Sequence, residues 1–146
     1  MMQKKEAGKV LKLFISESGK SGRVEQPQLC LDANGVLNDK FYGKDVERSV
    51  LISSVDSYKL TMEHNIEMKY GDLGENIVVD FNPYSLPTNT LIKIGDVVLE
   101  IIQRCTLCKS LSKIDSRVPQ LLKDDRGVFA KVIEAGTINV DAIVAY

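Results

Sequence analysis

Seven stretches of the chain alternate apolar with polar residues or run as short β-branched blocks, and both patterns are typical of β-strands. They are KVLKLFIS (9–16), RSVLIS (48–53), NIVVDF (76–81), TLIKIG (90–95), VVLEIIQ (97–103), VFAKVIEAG (128–136) and DAIVAY (141–146). Gly95-Asp96 separates two of these stretches at the spacing of a hairpin turn, and Ala135-Gly136 has the same place between VFAKVIE and TINV. We therefore expect antiparallel pairing at both turns.

Two further stretches have helical periodicity. The first helix is predicted to start at the cap candidates Ser53 and Ser54, to end before Gly71, and to bury a face formed by Val55, Tyr58, Met62 and Ile66. The second pattern comprises Leu111, Ile114, Val118 and Leu121, and Pro119 divides it into two short pieces. Many short strands with few helices predict a mainly β protein, a β-barrel or closed β-sandwich carrying short helices.

Composition and charge narrow the class of protein. A chain of 146 residues suits one domain, residues 1–146. A net charge of −1 provides no bulk attraction to nucleic acid or to an anionic membrane, so neither is expected as a partner. We find no signal peptide and no apolar stretch of about 18 residues, which together predict a cytoplasmic protein. An odd number of cysteines, three, argues against a disulfide framework.

The segment QRCTLCKSL (103–111) holds Cys105 and Cys108 at C-x-x-C spacing. A zinc site would need four ligands and would consume Cys30 and the lone His64 as well. A redox dithiol belongs between a strand and a helix in a βαβ unit, and the surrounding pattern here is not of that kind.

A third interpretation is one reactive sulfur, which needs basic neighbours to favour the thiolate; Arg104 and Lys109 flank the pair. A fourth is that both cysteines pack beneath the following helix. The residues alone leave all four interpretations open.

A second candidate site is the stretch YGDLGENIVVD (70–80). Gly71 and Gly74 bracket a tight bend before a strand, and the bend presents Glu75 and Asn76. A backbone nest of this kind binds an anion or a pterin-like heterocycle, and an asparagine amide supplies both a donor and an acceptor. The alternative is a plain glycine turn with a solvated carboxylate.

These motifs, in this order, resemble the MOSC domain, which occurs at the C-terminus of molybdenum cofactor sulfurases and as small stand-alone bacterial proteins. The similarity extends from about Gly35 to Val144: GDLGENIVV is followed by TLIKIGDVVLEII, QRCTLCKSL and RGVFAKVIEAGTI. The family's functional cysteine maps onto Cys108, followed by Leu111, and not onto Cys105.

The chain departs from the family pattern near its front. Where relatives often show Gly-x-x-Gly-Asp-x-His, this chain reads GVLNDKF (35–41), so Asp39 is retained but Phe41 replaces the histidine. The closing Gly-Asp of the last hairpin is Val140-Asp141. Any role of that histidine is therefore not carried over.

The resemblance implies a MOSC-like β-barrel whose cleft holds the reactive Cys108, as a persulfide carrier or as a molybdenum ligand. It further implies that the pterin or phosphate side of the molybdenum cofactor (molybdopterin) contacts Gly71, Gly74, Glu75, Asn76 and Arg48. Arg48 has an alternative role in a surface ion pair with Glu47 or Asp45. Cys105 is then either a resolving thiol or a strand residue that faces the core.

The expected partners follow from the same resemblance. They are a cysteine desulfurase or other sulfur donor and a molybdoenzyme acceptor, and no PLP is expected on this chain because no desulfurase domain is fused to it. Two alternatives remain: a molybdenum-cofactor-dependent reductase of N-oxygenated compounds, which needs redox partners, and a C-x-x-C dithiol or zinc module.

Overall fold

Eleven strands, two α-helices and one 3-10 turn form the part of the chain that the structure, a computed structural model, describes: residues 5–19, 22–105 and 114–146. The strands are β1 (Glu6–Ile15), β2 (Val24–Gln26), β3 (Gln28–Asp32), β4 (Gly35–Val36), β5 (Val50–Ser54), β6 (Ile77–Val79), β7 (Leu91–Ile94), β8 (Val97–Arg104), β9 (Val128–Glu134), β10 (Gly136–Asn139) and β11 (Ile143–Ala145). The helices are α1 (Val55–Glu63) and α2 (Val118–Leu121), and the 3-10 turn spans Val46–Arg48.

Seven of these strands close into a barrel, in the order β1-β11-β7-β8-β9-β5-β6 and back to β1. β1 closes the barrel because it is long enough to pair with β11 near its start, with β6 in its middle and with β2 at its end. β5 and β6 run parallel and are joined through α1, as a parallel pair requires a long crossover. The predicted mainly β barrel with few helices is confirmed.

A three-stranded sheet, ordered β10-β3-β4, packs against the barrel. Both sheets contribute to one apolar core: Leu29, Leu31, Val36 and Ile138 from the small sheet join barrel residues such as Leu13, Ile52, Ile77, Leu99 and Ile101. A second apolar cluster lies under the helices and comprises Tyr58, Ile66, Leu73, Val118 and Leu122. Leu73 belongs to the loop before β6, so this cluster supports the bend that carries Gly71 and Gly74.

The two predicted hairpins have opposite outcomes. Gly95, at φ +58°, and Asp96 join β7 to β8, whose residues Ile94 and Val97 pair directly, so this hairpin is confirmed. The hairpin at Ala135-Gly136 is wrong, because β10 pairs with β3 rather than with β9. β9 already has β8 on one side and β5 on the other, so it offers no edge to the strand that follows it.

The first predicted helix starts where expected but is shorter. Ser54 caps α1, its hydroxyl accepting from the Asp56 amide at 3.0 Å. Asn65 then takes a left-handed φ of +60°, a conformation that ends helices, so Ile66 is buried as predicted but lies beyond α1. Met62, within α1, is 70% exposed, contrary to the prediction, while Thr61 is buried in its place.

The second helical pattern lies partly outside the described residues, because Leu111 falls within 106–113. Its later piece is confirmed as α2, with Pro119 in the first turn. In the described ranges the longest helix has nine residues, so none reaches the roughly 20 residues that cross a bilayer.

Candidate functional site: an arginine-lined pocket

A pocket of about 290 Å³ opens beside the barrel where β5, β9 and the bend before β6 meet. Its described lining carries four cationic side chains, Arg23, Lys44, Arg48 and Arg126, against two carboxylates, Asp39 and Asp45. The surplus of positive charge makes this pocket suited to an anion.

Asp39 holds one of these arginines in place. Its buried carboxylate accepts hydrogen bonds from the Ser16 amide at 2.6 Å and the Phe41 amide at 3.0 Å, and pairs with Arg23 Nη1 at 3.4 Å. Burial lowers the pKa of Arg23, and the charge of Asp39 opposes that shift. Since arginine stays protonated in proteins, Arg23 presents a fixed positive charge to the pocket.

Arg48 ends the 3-10 turn at the rim of the pocket. Its Nε donates to Asp45 Oδ2 at 3.0 Å, and its guanidinium lies 5.5 Å from the centre of the Phe129 ring. The hydrogen bond from Arg48 is the main cause of a lowered Asp45 pKa. The ion pair and the position at the pocket, offered as alternatives by the sequence, therefore coexist.

The two glycines of the bend have different surroundings, although both have positive φ, +98° at Gly71 and +84° at Gly74. A Cβ on Gly71 would lie 3.2 Å from the ring of Phe14, on the barrel side. A Cβ on Gly74 would instead lie 3.5 Å from Arg23 Nη2 and 3.9 Å from Arg126 Nη2. Gly74 thus lines the pocket between two guanidinium groups, and Gly71 is not part of its lining.

Arg126 is fixed to the same bend. It is buried and donates through Nη2 to the carbonyl oxygen of Leu73 at 3.2 Å. Its neighbour Gly127 leaves room for β5, since a Cβ there would lie 3.0 Å from the Ile52 carbonyl oxygen. This close approach brings Arg126 alongside the end of β5.

Asn76 lines the pocket, but its side-chain amide forms hydrogen bonds to two strands. Oδ1 accepts from the Leu51 amide at 3.0 Å, and Nδ2 donates to the Phe14 carbonyl oxygen at 3.2 Å. Asn76 therefore joins β5 to β1 at the pocket's edge, and its chief local effect is to fix the shape of the lining.

Glu75 points away from the pocket. Its side chain is fully buried, and Oε2 accepts from Ser53 Oγ at 2.5 Å and from the Tyr58 hydroxyl. Desolvation raises the pKa of Glu75, against the opposing effects of those two hydroxyls and of the charge on Arg23. Of the predicted cofactor contacts, Gly74, Asn76 and Arg48 are thus brought together at the pocket, and Gly71 and Glu75 are not among its lining residues.

The cysteine segment is described only at its start. Cys105 follows β8, is buried, and donates its amide hydrogen to the Gly127 carbonyl oxygen at 2.8 Å, next to Arg126. Arg104 donates through Nε to the Tyr84 carbonyl oxygen at 3.0 Å. Cys108, the predicted reactive sulfur, and Lys109 lie outside the described residues.

The other proposed zinc ligands are Cys30, half-buried on β3, and His64, exposed at the end of α1. Among the residues that the structure describes, no three side chains of histidine, cysteine, aspartate or glutamate are grouped as a metal site would group them.

Among the polar lining residues, sequence reasoning did not single out Arg23, Lys44, Ser49 or Arg126. No local spacing relates Arg23 to Arg126, because closure of the barrel is what brings them to the same bend. The sequence carries only a weak signal, and only for two of these residues. Arg126 is the first residue of the motif RGVFAKVIEAGTI, and Ser49 directly follows Arg48.

Comparison with known proteins identifies the family and supports the fold. The family model for the MOSC domain matches residues 38–145. The chain is a member of the MOSC domain family. Members of this family are associated with the molybdenum cofactor in general. Among curated proteins, none matches the sequence.

Solved structures of MOSC proteins share the fold. The YuaD protein from Bacillus subtilis superposes with a TM-score of 0.85 at 14% identity, over 98% of this chain and 97% of that one. YiiM from Escherichia coli has a TM-score of 0.69 at 17% identity, over 94% of this chain and 69% of that one. YiiM from Geobacillus stearothermophilus has the same TM-score at 10% identity, over 99% and 75%. At these identities the likeness establishes the barrel alone.

Proposed function

We propose that this MOSC protein binds the molybdenum cofactor, with the arginine-lined pocket holding the phosphate end of molybdopterin. Cys108 supplies the thiol that carries sulfur for the cofactor or ligates its molybdenum. The observation that supports this proposal is the convergence of Arg23, Arg48 and Arg126 on one pocket of a MOSC barrel.

The side chains of the pocket fit a phosphate group. A guanidinium binds phosphate oxygens through two parallel hydrogen bonds, which makes arginine the usual residue for this task. Gly74 presents bare backbone between Arg23 and Arg126, so a ligand can approach closely there. The cavity of about 290 Å³ lies near the lower end of the range for small-molecule sites, roughly 300–1,000 Å³.

Phe41 offers a surface for a planar heterocycle. Its ring is 46% exposed at the pocket, with the guanidinium of Arg23 at 5.7 Å and Lys40 Nζ at 5.2 Å from its centre. Flat rings stack on exposed aromatic faces, and nearby cations strengthen such contacts. Phe41 thereby supports binding of the pterin, at the position where relatives often have histidine.

Cys108 would act through its thiolate. A thiolate is a soft ligand suited to a metal already held by sulfur, and the bound cofactor would supply the metal centre or the sulfur acceptor. In sulfur carriage, the Cys108 thiolate attacks the outer sulfur of a donor persulfide, forms a new S–S bond and releases the donor as a thiolate. This exchange needs no added oxidant. It requires a cysteine desulfurase or similar donor and a molybdoenzyme acceptor.

The test is to purify the protein from a host that makes molybdenum cofactor. Molybdenum and zinc are measured by elemental analysis, and the peptide containing Cys108 is weighed by mass spectrometry. We expect either stoichiometric molybdenum that is lost in Cys108→Ser, or a Cys108 peptide heavier by one sulfur atom. Cys105→Ser is the matched control and should retain the signal.

Two results would overturn the proposal. One is a wild-type protein with neither molybdenum nor added sulfur. The other is stoichiometric zinc that disappears with either cysteine, which would establish a metal clip instead. Thermal unfolding of each variant distinguishes loss of ligand from loss of fold, because Cys105 is buried.

A further inference from the structure

Ser49 carries a buried hydroxyl with no hydrogen-bond partner among the residues that the structure describes. The residue is only 8% exposed, yet it lines the arginine pocket between the 3-10 turn and β5. Leaving a hydroxyl buried without a partner costs about 1–3 kcal/mol, so nearly all such groups in proteins are satisfied. A polar group without a partner at the wall of a pocket is available to a ligand.

Ser49 is held in position by its packing against β4. Gly35 of β4 has φ +122°, and a Cβ there would lie 3.0 Å from Ser49 Cβ. The small sheet therefore packs directly against Ser49, and only a residue without a side chain fits at position 35. The Cβ is fixed by this contact, while the hydroxyl hydrogen rotates freely towards an acceptor.

The charges around Ser49 indicate which kind of anion fits. Four cationic side chains against two carboxylates leave the described lining with two positive charges in excess. A carboxylate has one charge and two coplanar oxygens, which a single guanidinium satisfies. A phosphate monoester near neutral pH carries close to two charges and three terminal oxygens, and so matches several guanidinium groups together with a hydroxyl.

We propose that Ser49 Oγ donates a hydrogen bond to the anionic group that Arg23, Arg48 and Arg126 bind, and that this group is a phosphate monoester dianion. The inference rests on the proposed function of the pocket and deepens it, because it names a hydroxyl of this chain that binds the phosphate and contributes to selecting a dianion. In this proposal the Ser49 hydroxyl contacts the ligand directly and forms no hydrogen bond within the described fold, while its Cβ packs against β4.

Ser49→Ala separates ligand binding from stability. Binding of phenyl phosphate and of benzoate is measured by calorimetric titration, and stability is measured by thermal unfolding. Because the hydroxyl has no internal partner in the described structure, we expect the melting temperature of Ser49→Ala to be equal to or slightly above that of the wild type. Its Kd for phenyl phosphate should rise about ten-fold or more, as expected for a lost hydrogen bond to a charged group.

The matched control is Ser53→Ala, the same change four residues later, where the hydroxyl donates to buried Glu75 instead. It should lower the melting temperature and leave phenyl phosphate affinity within about two-fold, since it removes an internal bond and no ligand contact. Wild-type protein should bind phenyl phosphate at least ten-fold more tightly than benzoate, which carries the same ring on a carboxylate.

Unchanged phenyl phosphate affinity in Ser49→Ala would overturn the inference. Arg48→Gln, measured alongside, shows which proposal has failed. If Arg48→Gln weakens binding and Ser49→Ala does not, the pocket binds phosphate and Ser49 is not a donor. If the wild type does not bind phenyl phosphate, or if neither variant weakens its binding, the pocket is not the phosphate site. Equal affinity for benzoate would overturn the choice of a dianion.

Discussion

The bend from Leu73 to Asn76 has polar groups on two sides, under opposite conditions. On the helix side, Glu75 Oε2 accepts hydrogen bonds from Ser53 and Tyr58, Glu75 Oε1 has no partner among the described residues, and all three side chains are shielded from water. On the pocket side, arginines surround an open cavity, and the Ser49 hydroxyl has no partner in the described structure. Polar groups that satisfy one another stabilise a fold, whereas polar groups with spare capacity around a cavity bind ligands.

The hydrogen-bond network on the helix side extends beyond Glu75 to Tyr84. The Tyr84 hydroxyl accepts from the Ser54 amide at 2.7 Å and shares a 2.6 Å hydrogen bond with Ser57 Oγ, while Ser57 also donates to the Asp125 carbonyl oxygen. This network fastens the first turn of α1 to the segment that precedes Arg126. The position of Arg126 is thus set partly by a network whose residues are not among those that line the pocket.

The largest effect should come from removing the acceptor at the centre of the helix side. Glu75→Leu leaves the Ser53 and Tyr58 hydroxyls buried without their acceptor, so the free energy of unfolding should fall by about 2–5 kcal/mol. The free energy of unfolding is measured by urea denaturation. Glu75→Gln keeps an acceptor oxygen, so its free energy of unfolding should fall by less. If Glu75→Leu is as stable as the wild type, the network is not a structural one.

Gly71, which lies against Phe14, and Gly74, which lines the pocket, allow the pocket side to be tested by one substitution made at two positions. Gly71→Ala and Gly74→Ala both force alanine into a positive φ, which costs about 1–3 kcal/mol of stability. Only Gly74→Ala places its methyl group near the guanidinium groups of Arg23 and Arg126, so only this variant should weaken phenyl phosphate binding. Equal binding losses in both variants would show that the sides are not separate.

The raised pKa of Glu75 predicts how stability depends on pH. A carboxyl whose folded pKa is above its unfolded value holds a proton that the unfolded chain has released. Unfolding is therefore favoured increasingly as pH rises from the ordinary glutamate value of 4.5 towards the folded pKa, by at most about 1.4 kcal/mol per pH unit. Urea denaturation from pH 5 to pH 8 should show this decline in the wild type and a flatter profile in Glu75→Gln. Parallel profiles would mean that Glu75 is ionised in the fold.

The smallest change in stability should come from the rim of the pocket. Arg48 is half exposed and its ion pair with Asp45 is a surface one, so Arg48→Gln should alter the free energy of unfolding by less than about 0.5 kcal/mol. Its Kd for phenyl phosphate should nevertheless rise several-fold. Arg117→Gln removes an arginine paired with Asp115, outside the pocket lining, and should leave the Kd unchanged. Identical Kd values for the two variants would contradict the assignment of Arg48.

Most of the barrel was predictable from sequence, because strand formation depends on local alternation and β-branching. The Gly95-Asp96 hairpin was equally local. The hairpin at Ala135-Gly136 was predicted wrongly because pairing there depends on which strand edges are still open, and this is settled only when the barrel closes. Met62 was misplaced because the buried face of α1 runs through Val55, Tyr58 and Thr61, at a spacing of three, and leaves Met62 exposed.

The candidate site was predictable at Arg48, which precedes β5, and where one short motif carries it. Gly74 and Asn76 belong to such a motif, and the structure places both on the pocket. The direction of the Glu75 side chain depends on partners in β5 and α1, which the motif does not specify. Arg23 and Arg126 come from opposite parts of the chain, and only tertiary structure joins them. The role of Cys108 stays a prediction.

The pterin content of the purified protein is the most direct test of whether the arginine-lined pocket binds the molybdenum cofactor. The protein and its Arg48→Glu and Arg117→Glu variants are purified from a host that makes molybdenum cofactor, and the pterin is released by oxidation and measured by fluorescence. We expect pterin in proportion to molybdenum in the wild type and in Arg117→Glu, and at least a ten-fold loss in Arg48→Glu. Equal pterin in Arg48→Glu and the wild type, or none in the wild type, would show that the pocket does not bind the cofactor.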